Sequence, residues 1–191
     1  MIFGGLGDDL IYAGTRHDTV FGGDGNDTVF GGDGRDRIFL GNGDDLFNDT
    51  AQGGLLGADN VSAGAGNDTI QGGNGNDIFE GEAGDDLIFG RLGEDKIEGG
   101  TGNDTLSGGE DIDVFVFNTG FELDEITDFA SGSDKLHLSK AIWGDGLSAS
   151  QVVDQFASVQ GGNVVFDFGT DVITLNGLIS LTGLDSDLVL F

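Results

Sequence analysis

The sequence predicts an all-β protein: a right-handed parallel β-roll of nine-residue repeats, followed by a β-rich C-terminal cap with one short helix. A phrase of the form GGxGxDxUx, where U is a large apolar residue, recurs at a fixed period over residues 1–116, and such periods indicate a solenoid. The 191 residues include 38 glycines and no proline. The period ends at Phe117, so residues 117–191 form the predicted cap.

Charge and composition restrict the possible partners. Seven basic and 35 acidic residues give a net charge of −28, which opposes binding to nucleic acid or to an anionic membrane and favours cations. The chain has no cysteine, which excludes disulfides and thiolate metal sites. We find no apolar stretch of membrane-spanning length and no N-terminal signal peptide.

Twelve copies of the repeat can be followed along the chain. The first five copies run from Gly4 to Asn48. Residues 49–53 then interrupt the period, and seven more copies run from Gly54 to Val116. The sixth position is aspartate in every copy. The eighth position is always apolar: Ile11, Val20, Val29, Ile38, Phe47, Val61, Ile70, Phe79, Ile88, Ile97, Leu106 and Phe115.

Each copy divides physically into a turn and a strand. Glycines at positions one, two and four allow positive φ and close backbone approach, whereas positions seven to nine favour extended chain. In a three-residue strand only the middle side chain, position eight, faces inward. Two copies then make one coil, copy n lies beside copy n+2, and the aspartates stack in two columns at about 4.8 Å spacing.

Stacked carboxylates and bare turn carbonyls favour calcium. Calcium takes six to eight oxygen ligands in irregular geometry, whereas magnesium demands a strict octahedron. Zinc is disfavoured because the chain has two histidines and no cysteine. Two alternatives are a metal-free solenoid whose aspartates only cap turns and an EF-hand, but no EF-hand loop occurs.

From Gly4 to Val116 the repeats resemble the RTX, or hemolysin-type, calcium-binding nonapeptide family. The resemblance implies that the sixth-position carboxylates of copies n and n+2 share one calcium ion. Main-chain carbonyls at positions two and four of the first copy and at positions one and three of the second would complete each site.

The resemblance therefore implies the following metal ligands. The carboxylates are Asp9, Asp18, Asp27, Asp36, Asp45, Asp59, Asp68, Asp77, Asp86, Asp95, Asp104 and Asp113. The carbonyls belong to Gly5, Gly7, Gly14, Arg16, Gly22, Gly23, Asp24, Gly25, Gly31, Gly32, Asp33, Gly34, Leu40, Asn42, Leu55, Gly57, Gly64, Gly66, Gly72, Gly73, Asn74, Gly75, Gly81, Glu82, Ala83, Gly84, Gly90, Arg91, Leu92, Gly93, Gly99, Thr101, Gly108 and Glu110.

The pairing rule gives eight sites away from the interruption, and two further pairs, Asp36 with Asp59 and Asp45 with Asp68, straddle residues 49–53. Departures from the motif are expected to weaken individual sites: Arg16, Leu55, Glu82, Arg91 and Asp111. We expect about seven to ten calcium ions.

The segment DEITDFASGSDKLHLS, residues 124–139, resembles the region after the repeats in serralysin-type metalloproteases and alginate epimerase repeat modules. The resemblance implies a further calcium bound by Asp124 and Asp134; the alternative is that both only cap turns. Ser148 and Gln151 form a predicted capping box at the start of a short helix. Residues 163–177 alternate as a hairpin with its turn near Gly169.

The C-terminal residues DSDLVLF resemble the tail of type I secretion substrates. The resemblance implies export through the type I secretion machinery and a secreted, extracellular protein. The alternative reading, a last strand of the cap, is compatible with this one.

No catalytic motif occurs in the chain, and His17 and His137 occupy positions expected to be solvated or structural. We therefore expect a calcium-dependent folding and secretion module, with any catalytic domain lying before residue 1. The alternative is a calcium-dependent module that binds a polysaccharide such as alginate. Outward aromatic residues at position nine, Tyr12, Phe21, Phe30 and Phe39, suggest packing on such a domain or on a second copy.

Overall fold

The computed structural model describes residues 1–49 and 57–191. The strands are β1 (Ile2–Leu6), β2 (Leu10–Thr15), β3 (Thr19–Asp24), β4 (Thr28–Asp33), β5 (Arg37–Asn42), β6 (Leu46–Asn48), β7 (Asn60–Ala65), β8 (Thr69–Gln71), β9 (Ile78–Ala83), β10 (Leu87–Leu92), β11 (Lys96–Thr101), β12 (Thr105–Glu110), β13 (Val114–Phe117), β14 (Leu123–Ile126), β15 (Lys135–Leu138), β16 (Ala157–Gln160), β17 (Asn163–Asp167), β18 (Val172–Leu175) and β19 (Leu188–Leu190). The helix α1 is Ala149–Phe156, and 3-10 turns lie at Lys140–Ile142 and Leu184–Ser186.

Alternate strands form two facing sheets. Sheet A has the order β1-β3-β5-β7-β9-β11-β13-β15-β19, and sheet B has the order β2-β4-β6-β8-β10-β12-β14-β18-β17-β16. Strands of the repeats pair in parallel with every second strand, so Val20 lies beside Ile38 and Ile11 beside Val29. The predicted all-β fold, with copy n beside copy n+2, is confirmed.

The strands are longer than the sequence predicts. Most contain six residues, because positions seven to nine continue into positions one to three of the next copy, as in β3. Side chains alternate along an extended chain, so position one faces inward as well as position eight. Leu40 and Ala63, both at position one, are fully buried. The expectation that only position eight points inward is therefore wrong.

A thin layer of apolar side chains, contributed by both sheets, runs between them. All twelve eighth-position residues are buried, and Phe47, Phe79 and Phe115 are among the largest of them. Each packs on its equivalents in the neighbouring coils, which gives the roll a core one side chain wide.

The interruption leaves the ladder intact. Across it Ile38 pairs with Val61, a separation of 61 − 38 = 23 residues in place of the regular 38 − 20 = 18 between Val20 and Ile38. Equivalent positions therefore stay paired on both sides of the interruption, as Phe47 with Ile70 also shows. Residues 50–56, including the predicted carbonyl ligand Leu55, lie outside the described residues.

The cap extends both sheets beyond the repeats. β14 and β18 continue sheet B, β15 and β19 continue sheet A, and β16, β17 and β18 pair antiparallel. The predicted hairpin and capping box are present, with the Ser148 hydroxyl accepting the Gln151 N–H. Phe156, the last residue of α1, forms an aromatic cluster with Trp143 and Phe168.

In the part of the chain that the structure describes, no helix has the length and apolar character needed to cross a membrane.

We predict that Phe79→Ala lowers the free energy of unfolding by about 3–5 kcal/mol, because it empties space in a one-layer core that cannot collapse. The measurement is urea denaturation in millimolar calcium. Phe3→Ala is the matched control, because Phe3 is 67% exposed, and its expected cost is about 1 kcal/mol or less. Equal losses in the two variants would contradict the assignment of Phe79 to the core.

Candidate metal centres

The sixth-position aspartates stack in two columns, one along each rim of the roll. Their main chains lie where each turn enters a strand, so the parallel ladders bring equivalent carboxylates together. We call the first column edge one: Asp9, Asp27, Asp45, Asp68, Asp86, Asp104 and Asp124. We call the second column edge two: Asp18, Asp36, Asp59, Asp77, Asp95, Asp113 and Asp134.

In both columns, one oxygen of every carboxylate after the first accepts a main-chain hydrogen bond. The Asp9 N–H donates to Asp27 Oδ1 over 2.8 Å, and the Asp27 N–H donates to Asp45 Oδ1 over 2.7 Å. The same bond recurs at every step of both edges, over 2.7–3.1 Å. Each carboxylate is thereby held in one orientation.

The pairing extends further than the eight sites away from the interruption. Asp59 Oδ1 accepts the Asp36 N–H, and Asp68 Oδ1 accepts the Asp45 N–H, so both straddling pairs form. Asp124 and Asp134 continue edge one and edge two, respectively. They therefore belong to the columns and do more than cap local turns, although they lie on different edges and do not meet each other.

The second oxygen of most of these carboxylates has no partner. On edge one, Oδ2 of all seven aspartates is buried without a hydrogen bond; on edge two the same holds for Asp36, Asp95 and Asp113. Asp134 differs, because its Oδ2 accepts the Ala130 N–H over 2.8 Å. Buried polar atoms are nearly always paired, so a row of unpaired anionic oxygens indicates a missing positive group.

At position one of several copies, two of the predicted ligand oxygens lie close together. A Cβ built on Gly81 would lie 2.3 Å from Asp86 Oδ2 and 2.3 Å from the Gly99 carbonyl oxygen, and one on Gly4 would lie 2.6 Å from both Asp9 Oδ2 and the Gly22 oxygen. Two acceptors thus face one small space with no donor between them. Both oxygens belong to one predicted site in each case, and oxygen-only ligands suit calcium.

No group of three or more histidine, cysteine, aspartate or glutamate side chains that could hold a metal lies among residues 1–49 and 57–191. The predicted ligand set is of another kind, because two carboxylates in it are joined by main-chain carbonyls. The arrangement therefore fits a hard cation rather than zinc.

The motif departures keep the turn geometry. Arg16, Glu82, Arg91 and Asp111 all have positive φ, between 74° and 94°, at positions where other copies have glycine. At the equivalent Gly23 a Cβ would lie 2.0 Å from the Gly5 carbonyl oxygen, which explains the preference for glycine. The expectation that these departures weaken individual sites stays a prediction.

A second ladder, at position five, was not anticipated. The Asn26 N–H donates to Asp8 Oδ1 over 2.8 Å, and the bond repeats along edge one through Asp44, Asn67, Asp85 and Asn103 at 2.8–3.1 Å. The available signal was that every position five on edge one is aspartate or asparagine.

On edge two, His17 Nδ1 accepts the Arg35 N–H over 2.9 Å, so His17 has a structural role, as predicted. His137 lies in β15 between Val116 and Val189, and burial, then the Lys96 charge, lowers its pKa.

Two further carboxylates replace missing turns, and sequence reasoning did not find them. Asp49 Oδ1 accepts the Gly32 N–H over 2.6 Å, and Asp128 accepts the N–H groups of Gly108 and Gly109 at 3.0 Å each. Both lie where the repeat is interrupted or ends. Together they accept main-chain N–H groups at places where no regular copy of the repeat follows.

Burial, and after it mutual repulsion, raises the pKa of most of the column carboxyls. Burial raises the pKa of Asp95 and Asp124 to about 8 and that of Asp59 and Asp86 to about 7. Hydrogen bonds from the coil before oppose the rise, and neighbouring carboxylates add to it. Without a cation, ionisation of these carboxyls therefore destabilises the folded roll.

A sequence profile of the RTX calcium-binding nonapeptide repeat matches four stretches, residues 1–15, 12–47, 53–88 and 80–115. No curated protein sequence matches the chain significantly. One similar solved structure is the extracellular lipase LipA from Serratia marcescens, with 24% identity and a TM-score of 0.42 over 97% of this chain. The match spans 38% of the lipase chain.

Another similar structure is the AlgE6R3 subunit of the Azotobacter vinelandii mannuronan C5-epimerase. It shows 20% identity and a TM-score of 0.37 over 92% of this chain and 78% of its own.

We predict that in chelator the folded fraction falls as the pH rises from about 4 to about 8. A carboxyl whose pKa is raised by folding stabilises the fold below its ordinary pKa and loses that contribution as the pH passes the raised value. Circular dichroism across this range measures the effect, and saturating calcium should abolish it above pH 6. Gain of structure with rising pH in chelator would contradict the prediction.

Proposed function

The chain belongs to the RTX calcium-binding nonapeptide-repeat family, and from this we propose that it is a module that folds by binding several calcium ions once it has left the cell. The observation that carries the proposal is the row of buried, unpaired Oδ2 atoms on the two edges. The repeat array is a structural calcium-binding module and not a catalytic one.

Magnitudes support a fold that depends on cations. Ten aspartate Oδ2 atoms are buried without a partner. Each unpaired buried polar atom costs roughly 1–3 kcal/mol, more when charged, whereas a whole domain is stable by only roughly 5–15 kcal/mol. The one-layer core cannot offset such a cost at neutral pH, so the metal-free array should not remain folded.

Bound calcium would supply positive charge, and carboxylate and carbonyl oxygens would be its ligands. The residues of the chain position these ligand oxygens. Glycine turns present carbonyls toward the edges, and the N–H bonds to Oδ1 orient each carboxylate so that Oδ2 points into the site. Parallel pairing places the next coil's ligands in register.

Calcium concentration would then set where the module folds. Extracellular calcium modules bind with dissociation constants of about 0.1–1 mM, far above cytosolic calcium. The chain would stay unfolded inside the cell and fold outside, which suits export through a channel as an unfolded polypeptide. This reasoning supports a secreted, extracellular location.

The C-terminal residues are the proposed signal for the type I secretion machinery. In the folded state β19 pairs with β15, and buried Asp187 forms an ion pair with Lys135 over 2.8 Å. The last residues are thus both a strand of the cap and, in the unfolded chain, an accessible export signal. Whether an additional domain precedes the repeats stays a hypothesis.

Binding to a polysaccharide is the second hypothesis, and the aromatic residues at position nine bear on it. Phe3, Phe21 and Phe39 stack face to face on sheet A with centroids 5.0–5.1 Å apart, and Tyr12 stacks on Phe30 at 4.8 Å. Within each stack, the facing sides of neighbouring rings contact each other and are closed to a sugar. The ladder therefore favours stabilisation of the roll, or packing on another protein surface, over sugar stacking.

We predict that the chelated chain is largely disordered at pH 7.5 and forms β-structure near millimolar calcium. Asp86→Asn should raise the calcium concentration needed for folding about threefold or more, because it removes a buried ligand charge shared by two sites. Circular dichroism during calcium titration is the measurement. Asp154→Asn, the same change at an exposed helical position, is the control. A fully structured chain in chelator at this pH would refute the proposal.

We predict that replacing residues 185–191 with glycine and serine abolishes export from a bacterium that carries a type I exporter. The control replaces residues 158–162, a segment of the cap with no buried residue. Protein in the medium is measured against intracellular protein. Export of both variants at equal rates would show that the tail is not the export signal.

A further inference from the structure

The turns of the two edges differ in a regular way. On edge one, position four is glycine and position five is aspartate or asparagine in all six turns of the array. Position five there forms the main-chain ladder that begins at Asp8 and Asn26. These turns share one geometry and carry only neutral or negative side chains beside the column.

The first turns of edge two have basic groups at the same places. Arg16 occupies position four beside Asp18, with a positive φ of 94°, and His17 and Arg35 occupy position five beside Asp18 and Asp36. All three side chains are exposed, and the Arg35 N–H is bound by His17. The same stretch of edge one has Asp8, Asn26 and Asp44.

The unpaired oxygens follow the same division. Every aspartate of edge one has a buried, unpaired Oδ2, including Asp9 in the first turn. In the first two turns of edge two, only Asp36 has one. Edge one therefore needs a cation at each step along the roll, whereas the start of edge two needs fewer.

We propose that the calcium sites of the two edges fall into two affinity classes. The sites of edge one bind tightly and drive folding, and the sites around Asp18 and Asp36 at the start of edge two bind weakly and fill later. This inference rests on the proposed function, because it assumes that calcium occupies the columns.

The physical reason is the charge beside each site. A unit charge about 8–10 Å from a divalent ion, partly screened by water and salt, changes its dissociation constant by about three- to tenfold. Asp8 and Asp44 add attraction on edge one, whereas Arg16 and Arg35 add repulsion on edge two. Calcium sufficient to fold the roll would leave the start of edge two unfilled, and higher calcium would then tighten that rim.

The first experiment compares Asp27→Asn with Asp36→Asn in the full chain. The two residues are matched: both are buried, and in both Oδ1 accepts a main-chain N–H over 2.8 Å. Asp27→Asn should raise the calcium midpoint for folding about threefold or more, and Asp36→Asn should change it by less than about 1.5-fold. Equal shifts in the two variants would overturn the inference.

The second experiment removes the basic charges with Arg16→Gly and Arg35→Asn, which restore the residues typical of edge one. Bound calcium is counted by equilibrium dialysis as its concentration rises beyond the folding midpoint. The late-binding class should shift to calcium concentrations about three- to tenfold lower. Lys140→Asn is the control, because it removes a positive charge from a 3-10 turn of the cap, outside the repeat array.

The outcomes separate this inference from the proposed function. If the wild-type chain binds no calcium, the proposed function fails. If all ions bind together with folding, or if Arg16→Gly and Arg35→Asn behave like Lys140→Asn, calcium-dependent folding stands and the two-class inference is refuted.

Discussion

In each coil after the first, one oxygen of the sixth-position aspartate accepts a main-chain N–H from the coil before, while on most of these residues the other oxygen is buried with no partner. The first interaction aligns the coils, and the second makes their alignment costly without a cation. A roll with a core one side chain wide has little else to offset that cost. The same carboxylates therefore align the coils and carry the buried charge of the two edges.

The glycine turns follow from this constraint. Coils spaced by one ladder step leave no room for a Cβ at Gly23 or Gly25, whose added atoms would meet the main chain of the preceding coil. Larger residues such as Glu82 are tolerated at positive φ, with their side chains directed away from the roll. The interruption is tolerated for a related reason, because Asp36 and Asp59 still join across it.

The ends of the columns show how the cap completes the array. Asp124 and Asp134 extend edge one and edge two by one coil beyond the repeats. Asp124 lies beside Ile173 of β18, so edge one ends next to an apolar residue. Beyond this point, sheet B continues as the antiparallel strands β18, β17 and β16. On the other sheet, Asp187 is neutralised by Lys135 instead of by an ion.

The sequence by itself determined the period, the pairing of copy n with copy n+2, the buried eighth position and the two carboxylate columns, because residues repeated at a fixed offset must occupy equivalent places. It also located the capping box at Ser148. Only the tertiary structure decided that position one faces inward, that Asp8 starts a second ladder, and that Asp49 and Asp128 replace missing turns. These features depend on what the neighbouring coil presents, which local pattern does not encode.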